Sequence, residues 1–226
     1  MLSALKIEDH PSPNFGPRRD GLLPQLIVLH YTAMATADAA CARLCDPAAE
    51  VSAHYLITQK GAVWRLVPEE ARAWHAGAGN WHGHDDINSR SVGIELDNRG
   101  DHPFSEPQMA SLEGLLREIM QRWSIPPAGV IGHSDMAPGR KIDPGPHFDW
   151  VRLARQGLAK ATGQGSVARQ VDPALFRKTA AEGAGYTAAC SDADLLQAVR
   201  LRYRPHARGE LSPVDLAVLS GPSAGP

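Results

Sequence analysis

Residues 26–30 read LIVLH: four apolar residues with a β-branched centre, closed by a histidine. An unbroken run of this kind reads as a strand covered on both faces, as in sheets with helices on each side. Two further segments repeat the pattern: SVGIELD, around Glu95, and Val130-Ile131-Gly132-His133, an apolar strand that again ends in histidine. Between them, HYLITQKGAVWRLVP from His54 onward reads as two strands turning at Gln59-Lys60-Gly61. Alanine-rich sequence from Thr36 to Cys45 predicts a helix stopped by Asp46-Pro47. Ser105 and Gln108 form a capping-box pattern, and Met109, Leu112, Leu115, Leu116, Ile119 and Trp123 follow at helical spacing, which predicts a helix over 106–123. Residues Phe148 to Lys160 read as a further helix. Strands alternating with helices define an α/β domain, one sheet covered by helices.

Beyond that domain, residues 161–170 are small, polar and glycine-containing, and read as a linker. Three short helices are expected after it, opened by Asp172-Pro173, by Ser191 with Asp194, and by Ser212-Pro213. The expected organisation is a main domain over 1–160, a linker over 161–170 and a small helical appendage over 171–226. The basic stretch RLRYRPHARGE, 200–210, reads as a solvated helix end with internal ion pairs.

The 226 residues include 43% hydrophobic and 21% charged residues, enough apolar material for a substantial core. With 23 basic and 25 acidic residues the formal charge is -2, so there is no global field for a polyanion and nucleic acid is not expected as a partner. No window has the length of a membrane span, and the first residues lack the apolar stretch of a secretory signal, which sets a cytoplasmic expectation. Cys41 and Cys45 fall one helical turn apart and Cys190 lies far away, a pattern that fits reduced thiols while leaving a Cys41–Cys45 bridge open.

Chemistry gathers at the strand ends and in one loop. IGHSDMAPGRKIDPGPHF, 131–148, sets two histidines, two aspartates, an arginine and a lysine among three prolines and three glycines. The prolines fix backbone angles in advance, so less entropy is lost when the loop grips something. His30, His133 and Asp143 are candidate metal ligands, since two histidines and one carboxylate with a free fourth position form a known hydrolytic zinc set.

Taken in order, LIVLHYT, VSAHYLI, RAWHAG, SVGIEL and GHSDMAPGRKIDPGP closely resemble the landmarks of the zinc-dependent N-acetylmuramoyl-L-alanine amidases of type 2, a family that includes anhydro-muropeptide amidases and peptidoglycan-recognition proteins. The resemblance covers about residues 7 to 160. It implies a central mixed β-sheet covered by helices, zinc (Zn2+) held by His30, His133 and Asp143, and Glu95 with Lys141 as the catalytic pair. In an extended segment Lys141 and Asp143 point the same way, which would put an ammonium beside the metal to steady an oxyanion. Glu95 interrupts an apolar strand and would shuttle a proton. Trp74 and His75 resemble the family's groove wall. Arg72 suits either a stem-peptide carboxylate or a surface ion pair.

His54 occupies a position where the family commonly has histidine, and a supporting role is expected for it rather than ligation. Trp81, His82 and His84 are expected in a substrate-facing loop. Two departures from the family pattern touch specificity: Tyr31 stands where some relatives carry a small polar residue, and Ala53 where certain phage relatives carry a tyrosine. The resemblance implies cleavage between the lactyl group of N-acetylmuramic or anhydro-N-acetylmuramic acid and L-alanine, with muropeptide or peptidoglycan as substrate, in wall turnover or recycling. A non-catalytic peptidoglycan receptor on the same fold is the alternative, although receptors of that branch commonly lose a zinc ligand. The helical appendage loosely resembles the peptidoglycan-binding appendages of some relatives.

Overall fold

The computed structural model describes residues 5–167 and 169–220, so one residue of the expected linker and both chain ends lie outside the described residues. Its strands are β1 (Ile7–Asp9), β2 (Phe15–Pro17), β3 (Leu26–Tyr31), β4 (Tyr55–Ile57), β5 (Val63–Arg65), β6 (Ala71–Ala73), β7 (Ser91–Leu96) and β8 (Val130–Gly132). Its helices are α1 (Ala37–Cys45), α2 (Ile87–Arg90), α3 (Glu106–Trp123), α4 (His133–Met136), α5 (Trp150–Arg155), α6 (Pro173–Thr179), α7 (Asp192–Tyr203) and α8 (Pro213–Ala217). Six strands form a mixed sheet in the order β1-β5-β4-β7-β3-β8, and β2 pairs with β6 in a separate antiparallel ribbon. The central strands β4, β7, β3 and β8 run parallel to one another, while β4 and β5 make the expected antiparallel hairpin.

Side-chain alternation along these strands decides what each face of the sheet does. Ile27, Leu29, Val92, Ile94, Leu96 and Val130 point to one face and pack with Met109, Leu112, Leu115, Leu116 and Ile119 of α3. The intervening residues of the same strands, Val28 and Ile131, therefore point to the other face. There they join Ala76, Met136, Phe176, Leu195, Ala198 and Val199, most of them from the C-terminal helices. Leu56 on β4 also faces this side and packs with Ala37, Ala40 and Leu44 of α1. The second face is thus covered at one end by α1 and at the other by the C-terminal segment. His30, Glu95 and His133 continue its alternation at the carboxyl ends of β3, β7 and β8.

Helix α3 has the expected span, and Ser105 accepts the Gln108 N–H as its cap. The reciprocal half of the box is replaced, because the Gln108 amide donates to the carbonyls of Ile57 and Asp97 and so ties α3 to the sheet. The helix expected over Phe148 to Lys160 is shorter. Asp149 caps its start, and bonds from Leu158 N–H to Leu153 O and Gly157 N–H to Ala154 O close it after Arg155 in a Schellman arrangement.

The stretch read as a linker is bonded to the last helix: Gly163 N–H donates to Val218 O and Gly165 N–H to Ala217 O. The basic stretch after it is solvated only at its end, from His206 to Glu210. Arg200 and Arg202 are buried, because α7 turns them onto Asp215 and Asp135.

Leu112 and its neighbours on α3 are fully buried against the sheet. Truncating Leu112→Ala is expected to cost about 2–5 kcal/mol by loss of transfer energy and opening of a cavity. Urea unfolding measures it, and a change near zero would mean α3 does not seal the sheet.

Candidate metal centre

His30 and Glu95 are directly paired residues on adjacent parallel strands, so strand register alone sets their side chains side by side. His133 follows β8 and opens α4, while Asp143 comes back from the proline-rich loop, where its carbonyl accepts the Ser134 N–H. Three ligand atoms converge as a result. His30 Nδ1 lies 2.9 Å from His133 Nδ1 and 2.9 Å from Asp143 Oδ2, and His133 Nδ1 lies 3.0 Å from the same carboxylate oxygen. All three residues are buried.

Hydrogen bonds behind the rings settle which nitrogens carry protons. The Ser91 hydroxyl donates to Ile87 O, so it accepts from His75 Nε2–H at 3.2 Å. His75 Nδ1 is then an acceptor and takes His30 Nε2–H at 3.0 Å. His133 Nε2–H donates to Ala76 O at 2.8 Å. Both ligand histidines therefore turn an unprotonated Nδ1 toward a carboxylate oxygen. Burial and the neighbouring His133 also lower the His30 pKa, to about 4, so protons do not fill the gap at neutral pH.

Three lone-pair donors at this spacing fit one divalent cation. Tetrahedral zinc with ligand bonds near 2.0–2.1 Å spaces its donors by about 3.3 Å, close to what the side chains already adopt. The partners of the outer nitrogens are the kind that orient metal-binding histidines.

His54 belongs to this supporting layer and not to the ligand set. Gly93 N–H donates to His54 Nδ1 at 2.9 Å, so Nε2–H donates to Ala71 O. Gly93 has a second task, since a Cβ there would sit 2.4 Å from the His75 ring. The glycine in SVGIEL therefore lets His75 lie against the strand and reach His30.

The centre lies at the base of a cleft of about 570 Å³ lined by His30, Glu95, His133, Lys141 and Asp143 among others. Glu95 Oε2 is buried with no hydrogen-bond partner. Burial, and next the Asp143 charge, push the Glu95 pKa up to about 8, against the opposing pull of Lys141. A largely buried acid that sits close to both a cation and a candidate metal site, with a free oxygen, is equipped to take up and return a proton.

Of the residues expected to meet substrate, Trp74, His75 and Tyr31 line the cleft. Arg72 does not. Its guanidinium is held by Asp86, with Nη2 at 2.8 Å, and by the Ser89 hydroxyl, so the ion-pair reading of Arg72 is the one the structure contains. Ala53 is fully buried and stands behind the lining residues Val51 and Ser52.

Trp81, His82 and His84 also lie away from the cleft. Trp81 packs edge-on against Tyr186, and His82 N–H bonds Gly185 O, both in the C-terminal segment. The cleft lining also includes Arg43 and Leu44 of α1, which the sequence reading did not single out. A basic residue in the last turn of a helix looks like ordinary dipole pairing, so nothing in the letters flagged Arg43.

Buried neutral histidines make the metal-free protein acid-labile. His54 and His30 are held at about 3 and about 4, and His75 well below its usual value, whereas unfolding restores all of them to about 6.5. Below pH 6.5 the unfolded chain binds protons the folded chain refuses, so stability falls with pH by about 1.4 kcal/mol per unit per histidine until the folded value is reached. Urea midpoints of chelator-treated protein are expected to drop steeply from pH 6.5 to 4, less steeply in His54→Gln. A flat profile would contradict the assigned neutral tautomers.

Comparison with known proteins gives one family, described as Amidase_2, N-acetylmuramoyl-L-alanine amidase, matching residues 20–146. The N-acetylmuramoyl-L-alanine amidase AmiD of Escherichia coli is 41% identical over 150 residues, which is 59% of this chain and 53% of AmiD, so the match spans about half of that relative's length. The E. coli 1,6-anhydro-N-acetylmuramyl-L-alanine amidase AmpD is 34% identical over 160 residues, 63% of this chain and 87% of AmpD. Among solved structures, E. coli AmiD in complex with anhydro-N-acetylmuramic acid-L-Ala-D-gamma-Glu-L-Lys aligns with a TM-score of 0.79 at 32% identity, covering 90% of this chain and 88% of that one. Pseudomonas aeruginosa AmpDH3 with anhydromuramic pentapeptide aligns with a TM-score of 0.78 at 29% identity, covering 97% and 95%.

Proposed function

The chain belongs to the N-acetylmuramoyl-L-alanine amidase family, and from that premise we propose that it is a zinc-dependent hydrolase of the amide joining N-acetylmuramic or anhydro-N-acetylmuramic acid to L-alanine in peptidoglycan fragments. One observation carries the reading: unprotonated donors of His30, His133 and Asp143 converge at the base of a cleft that also holds Glu95 and Lys141. His30, His133 and Asp143 would hold the metal, which when bound supplies Lewis acidity to the scissile carbonyl and to the attacking water.

The remaining steps belong to side chains. Glu95 takes the proton of the attacking water on its unpartnered Oε2 and returns it to the leaving alanine nitrogen, and its raised pKa suits both directions of transfer. The Lys141 ammonium stands by the oxyanion that forms as water adds to the carbonyl. Trp74 offers a flat apolar wall to the muramoyl-peptide. The C–N bond then breaks to give a lactyl carboxylate and a free α-amine.

Substrate choice follows the relatives whose names or complexes carry anhydro-muropeptides, and released fragments are the substrate class proposed for this chain. A cytoplasmic setting is proposed with it. The receptor alternative has less support, because the ligand trio, Glu95 and Lys141 stand together in one cleft.

Incubation with anhydro-muropeptides should release intact stem peptides, seen by mass spectrometry, with loss of activity on chelation and recovery with zinc. Products cut inside the peptide would instead mark a peptidase. Glu95→Gln is expected to lower kcat about a hundredfold or more, and Lys141→Met by a comparable factor, with zinc content unchanged in both. Full activity in either variant would remove that residue from the mechanism.

A further inference from the structure

Asp135 lies two residues beyond His133, has no exposed surface, and touches neither the ligand cluster nor the cleft lining. Its carboxylate is surrounded by donors. Oδ2 accepts Gly132 N–H at 2.8 Å and Arg202 Nη1–H at 2.6 Å, and Oδ1 accepts the Tyr186 hydroxyl at 2.6 Å. Gly132 belongs to the catalytic sheet, whereas Arg202 and Tyr186 come from the C-terminal segment. Arg202 is itself buried, donates its other arm to Val130 O at 3.0 Å, and lies 4.1 Å above the centre of the Trp150 ring. A second contact of the same helix reaches the loop on the far side of His133. The Asp194 carboxylate presses on Gly139, where a Cβ would come within 2.7 Å of it.

These contacts bracket the segment that carries His133. Helix α4 is one turn long and cannot hold its own direction by internal hydrogen bonds. Asp135 fastens it to the end of β8, and its ion pair with Arg202 is buried on both sides. A buried carboxylate deprived of its cation is left with an uncompensated charge and is driven to turn toward other donors. That turn would rotate α4 and carry His133 Nδ1 away from His30.

We propose that Arg202 and Tyr186 are positioning residues for the metal ligand His133, acting through Asp135, so that the C-terminal helices complete the metal centre from behind. The proposal rests on the metal reading given above. It assigns the C-terminal helices a task inside the catalytic unit.

The test compares Arg202→Met and the milder Tyr186→Phe with Arg200→Met in the full-length protein. Arg200 supplies the control because it lies in the same helix as Arg202 while its buried partner is Asp215 of α8 rather than Asp135. Zinc release is followed by competition with a chromogenic chelator, alongside kcat and KM. Arg202→Met is expected to weaken zinc binding about tenfold or more, the usual cost of losing an outer partner at a metal site, and Tyr186→Phe by less. kcat should fall in step with KM little changed, whereas Arg200→Met should lower thermal stability while its zinc release stays within about twofold of the parent.

A second readout needs no metal. In the metal-free protein the His133 ring N–H bonded to Ala76 O should shift in 1H–15N spectra of Arg202→Met and Tyr186→Phe but not of Arg200→Met. Should the parent protein bind no zinc, the metal reading fails and this signal still decides the positioning role. Equal behaviour of Arg202→Met and Arg200→Met in both readouts would overturn the proposal, and if Arg202→Met does not fold, Tyr186→Phe carries the comparison.

Discussion

Three unprotonated donors, two imidazole nitrogens and a carboxylate oxygen, are held within 3.0 Å of one another on largely buried side chains. Left alone they repel, and burial denies them the solvent that would screen that repulsion. The surrounding structure can be read as the apparatus that holds them there. Strand register places His30 next to Glu95, the chain from His75 to Ser91 to Ile87 fixes the tautomer of His30, and Ala76 fixes that of His133. A cation at the meeting point would turn that repulsion into attraction.

The two faces of the sheet divide the labour that makes this affordable. One face is filled by α3 and supplies continuous apolar burial. The other is covered from two directions, by α1 and by the C-terminal helices, and the cleft, lined by α1 and the loop from Gly139 to Asp143, opens at the carboxyl ends of the parallel strands. Ligands of open α/β sheets gather at such strand ends because the last inward-facing residue of each strand is no longer needed for the core.

Much of this was legible in the letters, for physical reasons that can be named. LIVLH and SVGIEL are long enough to show their strand character, helix 106–123 carries both a cap and a clean apolar stripe, and a histidine at the end of an apolar strand is conspicuous. The short strands β1, β2 and β6 were not legible, because three residues carry no period and their pairing is set by distant partners. Arg72 was ambiguous until Asp86, 14 residues on, was seen to hold it. Helix α7 misled most. Its inward face includes Arg200 and Arg202, so the pattern looked solvated, and only the partners Asp215 and Asp135 from other elements make burial of those charges tolerable.

Zinc-edge X-ray absorption on the purified protein tests the central claim most directly, since it reports the atoms around the metal without reference to activity. The account predicts a first shell of nitrogen and oxygen alone at about 2.0–2.1 Å, with the outer-shell scattering of two imidazole rings. A sulfur shell near 2.3 Å, which would draw in Cys41, Cys45 or Cys190, or a spectrum with no imidazole signature, would contradict it.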